Sequence, residues 1–159
     1  MNTRIIELEK TIQDSFNGEP WYGISVIEKL ETITYTYVNA TPKYFSKSIA
    51  VLVKHIINWR IFVLKKLEGD KTYAVEMNST ADWTKIEIKT AEEWDNLLRE
   101  LKSTQTLILE ELKKYSDDFL KKKVPSKNYN YYDLLTGMVQ HDTYHLGQIA
   151  ILYSILKKA

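Results

Sequence analysis

No cysteine occurs in the 159 residues of this chain, and that absence removes disulfides, zinc–thiolate sites and a protein thiol nucleophile together. Any zinc-like site must therefore use nitrogen and oxygen ligands. An excess of one charge is missing too. With 22 Lys and Arg against 21 Asp and Glu there is no basic field to drive phosphate binding, and no nucleic acid is expected as a partner. No segment stays apolar over the roughly 18 residues of a membrane helix. The start, Met1 to Glu7, lacks the charged region and apolar core of a signal peptide. A cytoplasmic location and no membrane partner are expected. Histidine is the last scarcity, at three residues, and it proves the most informative.

What is present is ordinary globular material: 44% hydrophobic and 27% charged, far from the signature of disorder. The length suits one domain over residues 1–159, able to bury about two-thirds of its unfolded surface.

Along the chain, helical periods dominate. Thr3 can cap a first helix whose stripe is Ile5, Leu8, Ile12 and Phe16, ending at Asn17-Gly18. Glu19-Pro20 predicts a second start, with Ile24, Ile27, Leu30, Ile33 and Tyr37 as its stripe, although Thr32 to Val38 is rich in β-branched and aromatic residues. Asn39 to Pro42 breaks the pattern. From about Tyr44 to Leu67 the stripe is Leu52, His55, Trp59 and Phe62, closed by Gly69. Residues 70 to 89 show no period, and a connection that long inside a compact domain is often a functional loop or lid. Thr90-Ala-Glu-Glu93 fits a capping box, opening a helix with the stripe Trp94, Leu98, Leu101, Gln105, Ile108, Leu112 and Tyr115. Ser116 to Asn130 is a connection, and its lysine run 121–123 reads as solvated. The last helix runs from near Tyr131 to Leu156, where Gly137 and Gly147 suggest close helix contact or access to a site. Four long amphipathic segments predict an all-α fold, a four-helix bundle in roughly antiparallel packing.

All three histidines fall on inward stripes. His141 and His145 are four residues apart on the last helix, so both imidazoles point into one volume. Leu134, Met138, His141, His145, Ile149, Leu152 and Leu156 make one continuous stripe around them. His55 lies midway along another helix. A lone histidine on an apolar stripe is commonly a core side chain satisfied by a carbonyl or a neighbour. Three of three at similar helix depth point instead to a shared divalent metal. Three neutral nitrogens leave coordination positions open, as in catalytic rather than closed structural sites. The donor set accepts zinc, nickel, iron or manganese, and affinity order favours nickel, copper and zinc. The zincin motif is absent, because Asp142 and Thr143 follow His141 and no glutamate base is supplied there.

The run Gly137 to Ile149, with Lys54-His-Ile-Ile-Asn-Trp59 ahead of Leu67-Glu-Gly69, resembles the DinB/YfiT-like superfamily of small four-helix bundles. Trp21-Tyr-Gly23, and Trp83 ahead of Ala91-Glu-Glu-Trp94, are similar to that family's order of features. The resemblance implies a metal triad of His55, His141 and His145, nickel or zinc as the cofactor, and a bundle that pairs into homodimers. It also implies either a transferase using a low-molecular-weight thiol, a metal-dependent hydrolase, or a non-catalytic metal-binding module of stress response. With no cysteine in the chain, the thiol must come from solution. The transferase is preferred, since no general base is evident beside the triad, and the partner expected is a small-molecule substrate.

Neighbouring positions extend this reading. Trp59, one turn after His55, and Tyr144, three residues after His141, can wall a pocket or belong to the core. Gln105, polar on an inward stripe, can hydrogen-bond a ligand imidazole or meet water. Asp142 lies about 100° from His141 on the helical wheel, which predicts a surface or interface carboxylate.

Overall fold

Apolar periodicity becomes helix in four long segments and fails in one. The computed structural model of the protein describes residues 2–158. Its helices are α1 (Thr3–Asn17), α2 (Val26–Glu31), α3 (Ile49–Leu67), α4 (Ala91–Leu112), α5 (Asp117–Leu120) and α6 (Tyr131–Leu156), with a 3₁₀ turn at Tyr35–Tyr37. The fold is all-α. No strand occurs among the described residues, only one isolated antiparallel bridge between Lys123 and Asn130. No helix among them is long and apolar enough to cross a membrane.

The expected helix over residues 20 to 37 shrinks to α2 and the 3₁₀ turn. Pro20 closes a turn instead, its carbonyl accepting from Gly23 N at 3.1 Å, and Gly23 takes φ 119°, open to glycine alone at little cost. At the other end the β-branched run wins. Thr32 folds its hydroxyl back onto the Lys29 carbonyl at 2.7 Å, and the stiff χ1 of the residues that follow weakens continuation. α3 starts at Ile49 rather than near Tyr44, whose φ of 77° is incompatible with a right-handed helix. Its cap is Ser48, which accepts from Val51 N at 3.4 Å. Thr90 caps α4 as predicted, accepting from Glu93 N at 3.2 Å, but the Glu93 carboxylate takes Lys89 N at 2.5 Å, so the reciprocal half of the box is displaced by one residue. The complete box forms at α6, between Asn130 and Asp133. Thr3 is the first residue of α1 and not its cap; that helix start is served by Asp117, which accepts from Ile5 N at 3.0 Å.

Helix directions follow from paired residues. α3 and α6 are antiparallel: His55 meets His141 Nε2 at 3.0 Å, and Tyr131 donates to the Lys66 carbonyl at 2.9 Å. α1 and α4 are also antiparallel, since Gln105 meets the Ile12 carbonyl while Ile5 meets Asp117. α3 and α4, however, climb together, through Lys54–Glu100 at 2.6 Å, Arg60–Thr104 at 2.9 Å and Leu67–Tyr115 at 2.7 Å. The expected antiparallel packing is thus parallel for this pair. Consecutive parallel helices need a connection that travels back along the first one, about 28 Å for its 19 residues at 1.5 Å each. Residues 68–90 make that journey, which is why a long irregular connection exists.

Two apolar clusters fill the bundle. One joins α2, the first half of α3, the first half of α4 and the C-terminal half of α6; the other joins α1 with the remaining halves of α3, α4 and α6. Between them lies a polar layer of buried Arg60, Thr104, Gln105 and Asp142, with His55 and His145 at its side.

Candidate metal centre

His55 from α3 and His141 and His145 from α6 converge in that layer, and their candidate ligand atoms all lie within 4.8 Å of one another. His55 and His145 are buried, and the side chain of His141 is 27% exposed. The second nitrogen of two rings is already committed. His55 Nδ1 stands 2.8 Å from the Asp82 carbonyl, which can only accept, so Nδ1 carries the proton and Nε2 the lone pair. His145 Nδ1 stands 2.7 Å from Gln148 Oε1, whose amide nitrogen donates in turn to the Tyr144 hydroxyl at 3.1 Å. Both rings therefore turn a bare Nε2 towards the cluster.

Burial lowers the pKa of His55, and burial followed by the proximity of His141 lowers that of His145 to about 4. Near neutral pH both imidazoles are lone-pair donors without having to lose a proton. His55 Nε2 and His141 Nε2 approach to 3.0 Å, a contact that an Nε2 proton on His141 can bridge as a hydrogen bond. A divalent ion between the two nitrogens fits the same spacing. Metal–nitrogen bonds of about 2.0 to 2.1 Å place two ligands of one ion roughly 3 Å apart. His141 Nδ1 is buried without a hydrogen-bond partner, as is Asp142 Oδ1, 3.8 Å from it.

Two residues to which the sequence reading gave no role at the triad complete the site, and both lie on the 68–90 connection. Asp82 is buried at 4% exposure. Besides its carbonyl, its Oδ1 accepts from Trp59 Nε1 at 2.8 Å and lies 3.1 Å from His55 Nδ1, while Oδ2 accepts from Asn78 N at 2.7 Å. Trp83 stacks face to face on the His55 ring, 3.8 Å between centroids and 5° from parallel. Asn58 on α3 fastens the same stretch, donating to the Ala81 carbonyl at 2.7 Å and to Thr84 at 2.9 Å. The irregular connection is thus tied to α3 beside the triad. Its length and Trp83 are the signals in the sequence, and nothing there marks Asp82.

Trp59 and Tyr144 both line a cleft of about 640 Å³ that opens onto the three histidines. Its walls are chiefly apolar, with Phe62, Val63, Met77 and Met138 among them. Gly137 lines it too, and a Cβ added at Gly137 or Gly147 would meet nothing within 4 Å. Close helix contact is therefore not the reason for either glycine. Gln105 does not serve an imidazole: its oxygen takes Arg60 and its nitrogen the Ile12 carbonyl. Asp142, expected to be a surface or interface carboxylate, is 2% exposed and ion-paired with Arg60. The wheel angle was right, but the direction away from the triad points into the α1–α4 side of the core.

A family model described as the DinB superfamily matches residues 26–149. No curated protein and no solved structure matches the chain.

Proposed function

Because the chain belongs to the DinB superfamily, we propose that His55, His141 and His145 hold a divalent metal, nickel or zinc, as the centre of an enzyme that uses a low-molecular-weight thiol. The observation that carries the reading is the facing pair of Nε2 atoms on His55 and His141, with a third imidazole beside them and the opposite side open to a cleft. A divalent ion bound there supplies a Lewis acid, able to lower the pKa of a thiol or a water at its free position.

The chain's own residues supply the rest. Asp82 and Gln148 hold two of the rings in the tautomer that donates through Nε2. Trp83 covers one face of His55, which excludes water from that side. The apolar walls accept a substrate with a nonpolar body. In the transfer, the sulfur of the thiol forms a bond to an electrophilic carbon, the leaving group departs with the bonding pair, and the thiol proton passes to solvent.

The preference for transfer over hydrolysis rests on the carboxylates. A hydrolase of this kind needs a general base near the attacking water. Both oxygens of Asp82 are engaged, Asp142 is turned to Arg60, and Asp133 is committed to the cap of α6. The test is an assay of metal-loaded protein with electrophiles plus a panel of cellular thiols, beside esters and amides without thiol. Turnover that requires thiol and is lost in His141→Ala is expected. Thiol-independent turnover lost in the same variant would overturn the preference and make the protein a hydrolase.

A further inference from the structure

A second cleft, of about 590 Å³, adjoins the first and differs from it in chemistry. Asn78, Trp83, Tyr144 and His145 border both. Where the first cleft is walled by aliphatic and aromatic side chains, the second presents Ser46, Ser79, Thr80, Gln148 and the ammonium of Lys47, and no carboxylate lines it. Lys47 joins none of the ion pairs among the described residues. It is half-buried, and its nitrogen is held 4.6 Å over the Trp83 ring. His55 covers one face of that indole, so the ammonium stands over the other. Ser79 accepts from Asp82 N at 3.1 Å, which leaves its hydroxyl hydrogen free to donate.

A cation oriented by an aromatic face, with hydroxyl donors and no carboxylate lining the same cleft, makes an anion site. We propose that this cleft binds the carboxylate of the small co-substrate, held by Lys47 with Ser79 and Thr80, while the other end of the molecule reaches the triad past His145. The assignment rests on the reading of the triad as a metal centre that takes a thiol. It adds a length. Lys47 and the His55 ring are separated by no more than the two stacking distances, 3.8 and 4.6 Å, laid end to end. The indole lies on that line, so the co-substrate passes its edge beside His145; a small thiol with a carboxylate a few bonds from its sulfur is the size proposed, and the apolar cleft is left for the electrophile.

Two titrations test this on the full chain. In the first, zinc-loaded protein is titrated calorimetrically with 3-mercaptopropionate and with its neutral amide at fixed ionic strength. The acid is expected to bind about ten-fold more tightly than the amide, the worth of one charge-assisted contact, and Lys47→Gln is expected to abolish that preference. Equal binding of acid and amide by the wild type, or a preference that survives Lys47→Gln, overturns the proposal. In the second, metal-free protein is titrated with sodium propionate by NMR. Saturable shifts at Lys47, Ser79 and Thr80, absent in Lys47→Gln, are expected, and their absence from the wild type overturns the proposal. If neither thiol binds the zinc-loaded protein while propionate still shifts these residues, the thiol reading of the metal centre falls and the anion site stands.

Discussion

Asp142, the residue immediately after a candidate metal ligand, commits Oδ2 to a fully buried ion pair with Arg60 while Oδ1 lies 3.8 Å from His141 Nδ1. Arg60 in turn donates to Thr104 at 2.9 Å and to Gln105, and its guanidinium lies 4.4 Å from the Phe16 ring centroid. One polar layer thus ties α1, α3, α4 and α6 together at the height of the histidines. A buried pair of this kind is costly to break and cheap to replace. Arg60→Met or Asp142→Leu alone is expected to destabilise by about 3 to 5 kcal/mol, because each leaves an uncompensated buried charge. The double variant is expected to lose much less than the sum. Urea unfolding of the two single variants and the double one checks this, and additive losses would contradict it.

Asp82 holds the 68–90 connection against His55 and Trp59 at once. Asp82→Ala removes the acceptor of Trp59 and of Asn78 N while leaving the backbone carbonyl in place. Loss of such outer support around a metal ligand typically costs 10- to 100-fold in affinity. Zinc affinity in competition with a chelator is expected to fall by about ten-fold, with the circular dichroism of the helices unchanged.

Acid should weaken the metal-free protein through its buried histidines. The folded pKa of His145, about 4, lies below the ordinary value of 6.5, and that of His55 is lowered in the same direction, in both cases chiefly by burial. Between the folded and unfolded values the unfolded chain binds more protons, so stability rises with pH there and is lost as pH falls from 6.5 towards 4. The contribution of His145 over that window is about 1 to 3 kcal/mol. Urea midpoints measured at steps across it are expected to fall more steeply for wild type than for His145→Asn. Equal slopes would contradict the assignment of that burial cost.

Gly137 and Gly147 sit within α6 with open space where a Cβ would project. Gly147→Ala is expected to stabilise the protein by about 0.5 to 1 kcal/mol, through the conformational freedom that glycine loses on folding. Gly137→Ala should stabilise equally while narrowing the apolar cleft by one methyl group, so bulky electrophiles should lose turnover before small ones do.

Periodicity made the helices and the triad legible. The stripe of α6 and that of α4 are buried nearly throughout, and the three histidines stand where the inward stripes of α3 and α6 meet. What stayed hidden lies in contacts between segments distant in sequence. Nothing local distinguishes parallel from antiparallel neighbours, so the topological need for residues 68–90 was invisible, and with it the roles of Asp82 and Trp83. Asp142 and Gln105 were misread for a related reason. A polar residue on a helix is placed by a wheel, but its partner, here Arg60, is chosen by tertiary packing. The over-long second helix failed differently, because the β-branched residues from Thr32 to Val38 outweighed an apolar period that continued through them.

The central claim is that the three histidines hold one divalent ion. Untagged protein, stripped with chelator, reconstituted with zinc and with nickel and then desalted, should carry close to one ion per chain by elemental analysis. His55→Ala, His141→Ala and His145→Ala should each lose most of it. A protein that retains no ion after reconstitution, or one whose metal content survives in the His141→Ala, His145→Ala double variant, would contradict the claim.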